Sequence, residues 1–481
     1  MKRIVVAAAA LLILSSHVSH AVTLNVDDLG EALLFPYYTV RSTKGNPYNT
    51  YVSVANHTTS AKALRVRIRE GRNSREVAAF NLFLSPNDVW AAAFVPTATG
   101  ARLITVDRSC VSPQFNGAPG EVPGVEFTNA GYIGDGNGDE LDRTREGWIE
   151  IVEMATLTGA SALAVTHAAS AGSTPSNCGA VQGTAPVDVA SPTGGISGTL
   201  TILNVASGLD FTVNAVALSD LSSGSYYRPA DDPYPGFGAN EIRPVSVVTA
   251  NGFIYRSEWS RGVDAVSAVL MRSAWYGEFI LDSGTISATD FVTIFPTRHH
   301  YVVGGTAVAP FSASCDFPRN DTYAGEPIEI VGFNREEFGG GISGFNPFPV
   351  AKNFRCGPAT VVDFHNASTH TAFTDETSVL GSTNRGLAEA GMVSVGSSPN
   401  GWAGFRVTSG ATLNSLPSSS RTNMETAATT FGSHRFAGLP VIGFSVRTFL
   451  NGTLTCGSAS CQANYGGAFP FRFTRSISQA N

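Results

Sequence analysis

The chain has 481 residues, 43% hydrophobic and 14% charged, with a formal net charge of −7. That apolar share excludes a disordered chain, and the acidic balance excludes nonspecific nucleic-acid binding, which needs a basic face. At roughly 100–200 residues per domain, the length suits two to four domains.

The first residues read as an export leader. Lys2 and Arg3 precede the apolar run "IVVAAAALLIL", and "SHVSHA" closes it with small residues. Ser19 and Ala21 fit the small-x-small rule, which makes residues 1–21 a signal peptide cleaved after Ala21. The apolar run ends at Leu14, short of the roughly 20 residues that cross a bilayer. The expectation is a secreted, extracellular or periplasmic protein with no transmembrane segment after cleavage. Loss of the two basic residues takes the charge from −7 to −9.

Short strand-like runs follow: "YVSVAN" (51–56), "ALRVRIRE" (63–70), "VAAFNLFLS" (77–85) and "DVWAAAFVP" (88–96). In 63–70, Leu64, Val66 and Ile68 alternate with Arg65, Arg67 and Arg69. That period of two predicts a half-buried strand with one wet face. "GWIEIVEM" (147–154) reads as a strand, and "SGTLTILNVASGLDFTVNAVALS" as two strands joined at Ser207-Gly208. The Pro/Gly/Tyr-rich run 222–241 reads as a long loop or domain junction. Beyond it come "RPVSVVTA", a short helix near 262–272, strands in "GEFILD" and "TDFVTIFPT", and an irregular segment at 338–350. Strands in "GWAGFRVTS", "PVIGFSVRTFL" and "FPFRFTRSI" close the chain. The sum is an all-β protein with two or more sandwich-like (immunoglobulin-like) domains, long loops and at most short helices. An N-terminal β-sandwich region spans 22–225, with an acidic loop at 134–147, and a C-terminal β-rich region spans 242–481.

Six cysteines in an exported chain point to disulfides. Several pairings are open, and neighbour order is the expectation: Cys110–Cys178, Cys315–Cys356 and Cys456–Cys461. No CxxC pair is present, which argues against a zinc ribbon or a thioredoxin-type redox site.

The acidic loop carries the spacing of a calcium site. Counting from Asp135, the first, third, fifth and twelfth positions are Asp135, Asn137, Asp139 and Glu146, with the Leu141 carbonyl at the seventh. Two departures weaken the match: the sixth position is Glu140 where the turn favours glycine, and the eighth is Asp142 where an apolar residue is usual. The competing reading is a solvated turn, with Arg143 and Arg145 pairing nearby carboxylates. Calcium is the only cofactor expected.

Catalytic signals are sparse. G-x-S-x-G and H-E-x-x-H are both absent. His57, His167, His299, His300, His365, His370 and His434 follow the leader, and each reads as a surface or hydrogen-bonded residue. His299 and His300 follow a strand, so they are expected on opposite faces. Glu150 and Glu153 also face opposite sides, which makes them a poor acid/base pair. Tyr37, Tyr38, Tyr226, Tyr227, Tyr234, Phe345 and Phe348, where exposed, would stack on sugars or line a protein interface. Asn-x-Ser/Thr triplets at Asn56, Asn320, Asn366 and Asn451 mark loops.

The phrases "LLFPYYTV" (33–40), "NSREVAAFNLFLSPNDVW" (73–90), "TREGWIEIVEM" (144–154), "TDFVTIFPT" (289–297), and "GLPVIGFSVRTF" with "ANYGG" (438–467) resemble an uncharacterised family of exported, cell-surface proteobacterial proteins. The resemblance runs over most of the chain after the leader. It implies a Gram-negative source and an envelope or extracellular location, and carries over no catalytic residue. The leading expectation is an exported non-enzymatic structural, adhesive or surface-associated protein. Its partners would be other surface proteins, further copies of itself or a polysaccharide. The alternative is a secreted polysaccharide-directed hydrolase with a calcium-stabilised β fold.

Overall fold

The computed structural model describes residues 20–43, 45–168, 170, 172–182, 185–281, 286–312, 326, 328–335, 357–365, 378–384, 392–394, 400–408 and 410–480. Strands dominate and helices are few and short, so the chain is all-β with several packed sheets. In the N-terminal half, Ala32–Thr39, Glu146–Leu157, Ala61–Glu70 and Glu76–Leu84 lie side by side, in that order, within an eight-stranded sheet. A six-stranded sheet containing Asn49–Asn56, Val89–Pro96, Ile196–Asn204 and Leu209–Asn214 packs against it. Tyr38 stacks on Phe94 at 4.7 Å and Phe80 meets Trp90 at 5.8 Å across the interior. The turn at Ser207-Gly208 forms as expected, with Gly208 at φ 63°.

The expected wet face of "ALRVRIRE" does not exist. All ten residues of Ala61–Glu70 are buried, as are all twelve of Glu146–Leu157. One face packs on the second sheet; the other carries Arg65, Arg67 and Arg69 beneath the run 229–235. Arg65 donates to the carbonyls of Pro229, Ala230, Asp232 and Tyr234. Arg67 donates to Pro233 and Pro235 and pairs with Glu76, while Arg69 reaches Glu150 and the Ser74 carbonyl. The physical reason lies in the loop. Pro229, Pro233 and Pro235 have no N–H, so this run cannot add a strand, and its carbonyls need donors from elsewhere. The arginine row supplies them, and the period of two reports a strand buried on both sides.

In the C-terminal half, a four-stranded sheet has the order Ile328–Asn334, Asn400–Val407, Ala274–Ile280, Arg472–Thr474. It packs on a five-stranded sheet centred on Ile286–Ile294, with Ile442–Leu450 and Tyr465–Pro470 to one side. Trp275–Phe405 (5.6 Å), Phe279–Phe364 (5.6 Å) and Phe291–Phe405 (5.8 Å) fill the space between them. The helix expected near 262–272 is Gly262–Leu270, buried from Val263 onward. A single apolar cluster runs through both halves, and Val22 bridges to Ser246.

Cys110–Cys178 and Cys456–Cys461 are disulfides, with Cα separations of 5.3 and 5.8 Å. Cys315, Cys356, Asn320, Phe345, Phe348, Asn366, His370, the His365 side chain and the segment 338–350 lie outside the described residues. Among the described residues, no helix is long and apolar enough to cross a membrane.

Candidate functional site

The acidic loop closes on arginine. Asp135 takes both terminal nitrogens of Arg143, at 2.8 and 3.0 Å, and Arg143 also pairs with buried Glu70 at 3.1 Å. Burial alone would raise the Asp135 carboxyl, but Arg143 and the Asn137 N–H outweigh it and hold it below the usual carboxylate range. Asp139 accepts from the Gly134 N–H at 2.8 Å, and the Leu141 carbonyl accepts from Thr144 at 2.7 Å. Glu146 turns elsewhere: it is fully buried and takes bonds from Arg41, Tyr37, Ser382 and Thr383. Burial would raise its carboxyl too, but Arg41 and the hydroxyl donors hold it low. Thus Asp135 and Asn137 meet, whereas Glu146 is engaged with a different set of partners. Among the described residues no group of three His, Cys, Asp or Glu side chains is placed to hold a metal ion.

His299 and His300 are not on opposite faces. They sit on a one-turn 3-10 helix, Arg298–His300, which turns adjacent side chains by about 120° and not 180°. Their ring centres are 4.0 Å apart. Burial drives both below the ordinary imidazole value, His300 to about 3. Both His299 nitrogens are buried and neither has a hydrogen-bond partner among the described residues, so it is not a hydrogen-bonded histidine, although the residue as a whole is only partly buried. Glu150 and Glu153 do face opposite sides; Glu153 is ion-paired with Lys62 at 2.8 Å and Glu150 with Arg69 at 3.3 Å. Among the described residues two serine hydroxyls hydrogen-bond an imidazole, Ser197–His57 at 2.8 Å and Ser257–His434 at 3.0 Å. The second is shut inside the core, and among the described residues no carboxylate orients either imidazole. Tyr37, Tyr38 and Tyr226 are core residues, while Tyr234 is exposed.

The site that sequence reasoning missed is a groove of about 850 Å³ lined by both C-terminal sheets. In the strand register Phe333 lies opposite Trp402 and Trp402 opposite Glu278. One step along, Gly404 lies opposite Tyr276 and Tyr276 opposite Arg472. Alternation along each strand puts this set on the face away from the Trp275–Phe405 stack. Trp402 stacks on Phe333 at 4.6 Å and meets the Tyr276 ring at 5.7 Å. From the second sheet comes half-exposed Phe469, with the Arg447 guanidinium 3.6 Å from its ring centre. Arg447 pairs with Glu278 at 3.0 Å.

Arg335 and Arg472 also line the groove and have no partner among the described residues, so it is basic in an acidic protein. Behind the wall, the Ser445 hydroxyl and the Asn400 carboxamide oxygen are buried and have no hydrogen-bond partner among the described residues. Broad aromatic faces beside polar groups suit a ligand with an apolar face and a hydroxyl rim. The available signal was an aromatic on the wet phase of an alternating strand: in "GWAGFRVTS", Ala403 and Phe405 point inward and Trp402 and Gly404 outward.

No protein-family model, curated protein or solved structure matches the chain.

Proposed function

We propose that the protein is exported and surface-associated, and that it acts without catalysis by holding a saccharide chain in the Tyr276–Trp402–Phe469 groove. The observation that carries this reading is an aromatic row on the outward face of a sheet, flanked by arginines that have no partner among the described residues. A pyranose ring has an apolar C–H face to lay on the rings and hydroxyls to meet the guanidiniums of Arg335 and Arg472. The export leader, the disulfides and the resemblance to exported proteobacterial proteins support the location. Binding is favoured over hydrolysis because Glu278 is the one carboxylate lining the groove among the described residues, and Arg447 holds it. Glycoside hydrolysis uses two.

Calcium binding at the 134–147 loop stands as a separate proposal. The ion would have to replace Arg143 at Asp135. Two experiments test the functional reading. N-terminal sequencing of the envelope or secreted fraction should begin at Val22, whereas intact chain confined to the cytoplasm contradicts export. A panel of immobilised glycans should retain the folded protein on at least one polysaccharide class, and turnover of that glycan would favour the hydrolase instead.

A further inference from the structure

A second groove, of about 570 Å³, opens between the N-terminal strands and the C-terminal sheets. Its wall is largely apolar: Leu24, Val26, Val216, Trp275, Phe471 and Phe473. Val26 is 93% exposed and Phe473 47% exposed. Set into this wall is Arg272, only 5% exposed.

The charge around Arg272 is not balanced. Its Nη1 donates to the carbonyls of Val269 (3.0 Å) and Met271 (2.9 Å). Arg475, beside it, donates to Val269 (2.7 Å) and Met271 (3.1 Å). Both guanidiniums therefore cap the C-terminal end of the helix Gly262–Leu270, and both approach the Phe473 ring, at 3.6 and 5.5 Å. No carboxylate pairs with either among the described residues. A helix C-terminus offers roughly half a negative charge, so two cations leave more than one positive charge unmatched. Burial, then the Arg475 charge, pushes Arg272 well below the ordinary arginine value. Buried charges are ordinarily paired because an unpaired one is costly.

The geometry of the free donors is specific. Arg272 Nε and Nη2 make no hydrogen bond to any described residue, and Arg272 lines the groove. These two form the side edge of the guanidinium, whose parallel N–H groups match the two oxygens of a carboxylate. Asp28 also lines the groove, hydrogen-bonded by Asn214 at 3.3 Å, and disfavours a second negative charge on the ligand. We propose that this groove binds a small amphiphilic monocarboxylate, its carboxylate on the Nε–Nη2 edge of Arg272 and its apolar body along Trp275, Phe473 and Val26. The site is separate from the saccharide groove and stands without it.

Titration of the full-length mature protein with decanoate and with decanol, both below their aggregation limits, tests this. Trp275 fluorescence and calorimetry report binding. Decanoate is expected to bind with 1:1 stoichiometry, raise the melting temperature, and bind at least about tenfold more tightly than decanol. Arg272→Met keeps the stem and should remove the preference, so that both ligands bind alike. Should that variant not fold, Val26→Glu decides: the position is on the exposed rim, and a fixed negative charge there should weaken decanoate several-fold more than decanol, which loses only the apolar contact. Equal affinity for decanoate and decanol in the wild type, absence of saturable decanoate binding, or unchanged decanoate preference in the folded variants would overturn the proposal.

Discussion

Tyr276 lies across Gly404, its direct partner in the antiparallel register, and fills the space that a side chain at 404 would occupy. A Cβ there would sit 2.5 Å from the Tyr276 ring. The glycine is therefore what lets the ring settle on the sheet beside Trp402. Gly404→Ala is expected to tilt Tyr276 and weaken saccharide binding several-fold, with a stability change of only about 1 kcal/mol because the outward ring can move. Affinity and melting temperature measured together check this; a large drop in melting temperature with unchanged affinity contradicts it.

The arginine row carries the next expectation. Arg65→Met leaves the carbonyls of Pro229, Ala230, Asp232 and Tyr234 without their donor, at an expected cost of about 2–4 kcal/mol. Limited proteolysis is expected to cut the variant between Arg228 and Gly236 under conditions that leave the wild type whole. An equally resistant variant would mean that the loop is held by other contacts.

The strands, their order of types and the short helix were legible because periodicity reports them directly. The burial of Arg65, Arg67 and Arg69 was not, since alternation marks two different faces and is silent on what covers the polar one. The cover came from a proline-rich loop some 160 residues downstream, with sequence separations of 164 to 169 for the Arg65 bonds. The groove was hidden for the same reason: Trp402, Tyr276 and Phe469 come from three strands whose adjacency only the fold supplies. At the acidic loop, spacing placed Asp135 and Glu146 in one register, but the strand beginning at Glu146 carries that carboxylate to Arg41.

Arg143 joins two carboxylates, Glu70 and Asp135, at 3.1 and 2.8 Å. Arg143→Met strands both, and a loss of about 3–5 kcal/mol is expected for breaking a buried pair. It also frees Asp135. Millimolar calcium is therefore expected to raise the melting temperature of the variant more than that of the wild type. No shift in either protein would mean that the loop is not a cation site.

Two buried groups give opposite pH limbs. Burial, with the charges of Glu153 and Asp220, pushes Glu31 up to about 7 from 4.5 against the N–H groups of Ser222 and Leu221. Its contribution is full below pH 4.5 and lost as pH rises through 7. Burial, then Arg69, Arg261 and Arg67, drives His300 down to about 3 from 6.5, so its contribution is full above 6.5 and lost as pH falls towards 3. The melting temperature of Glu31→Gln relative to wild type should therefore grow from pH 4.5 to 7. That of His300→Gln should grow as pH falls from 6.5 towards 3. Differences independent of pH would contradict both assignments.

The central claim is that the aromatic groove binds saccharide. The most direct measurement is calorimetric titration of the glycan that best retains the wild type against wild type, Trp402→Ala and Tyr276→Ala, each verified as folded by its melting transition. Loss of a stacking ring is expected to weaken binding by about tenfold or more in each variant. Unchanged affinity in both folded variants would place the binding surface elsewhere and contradict the account.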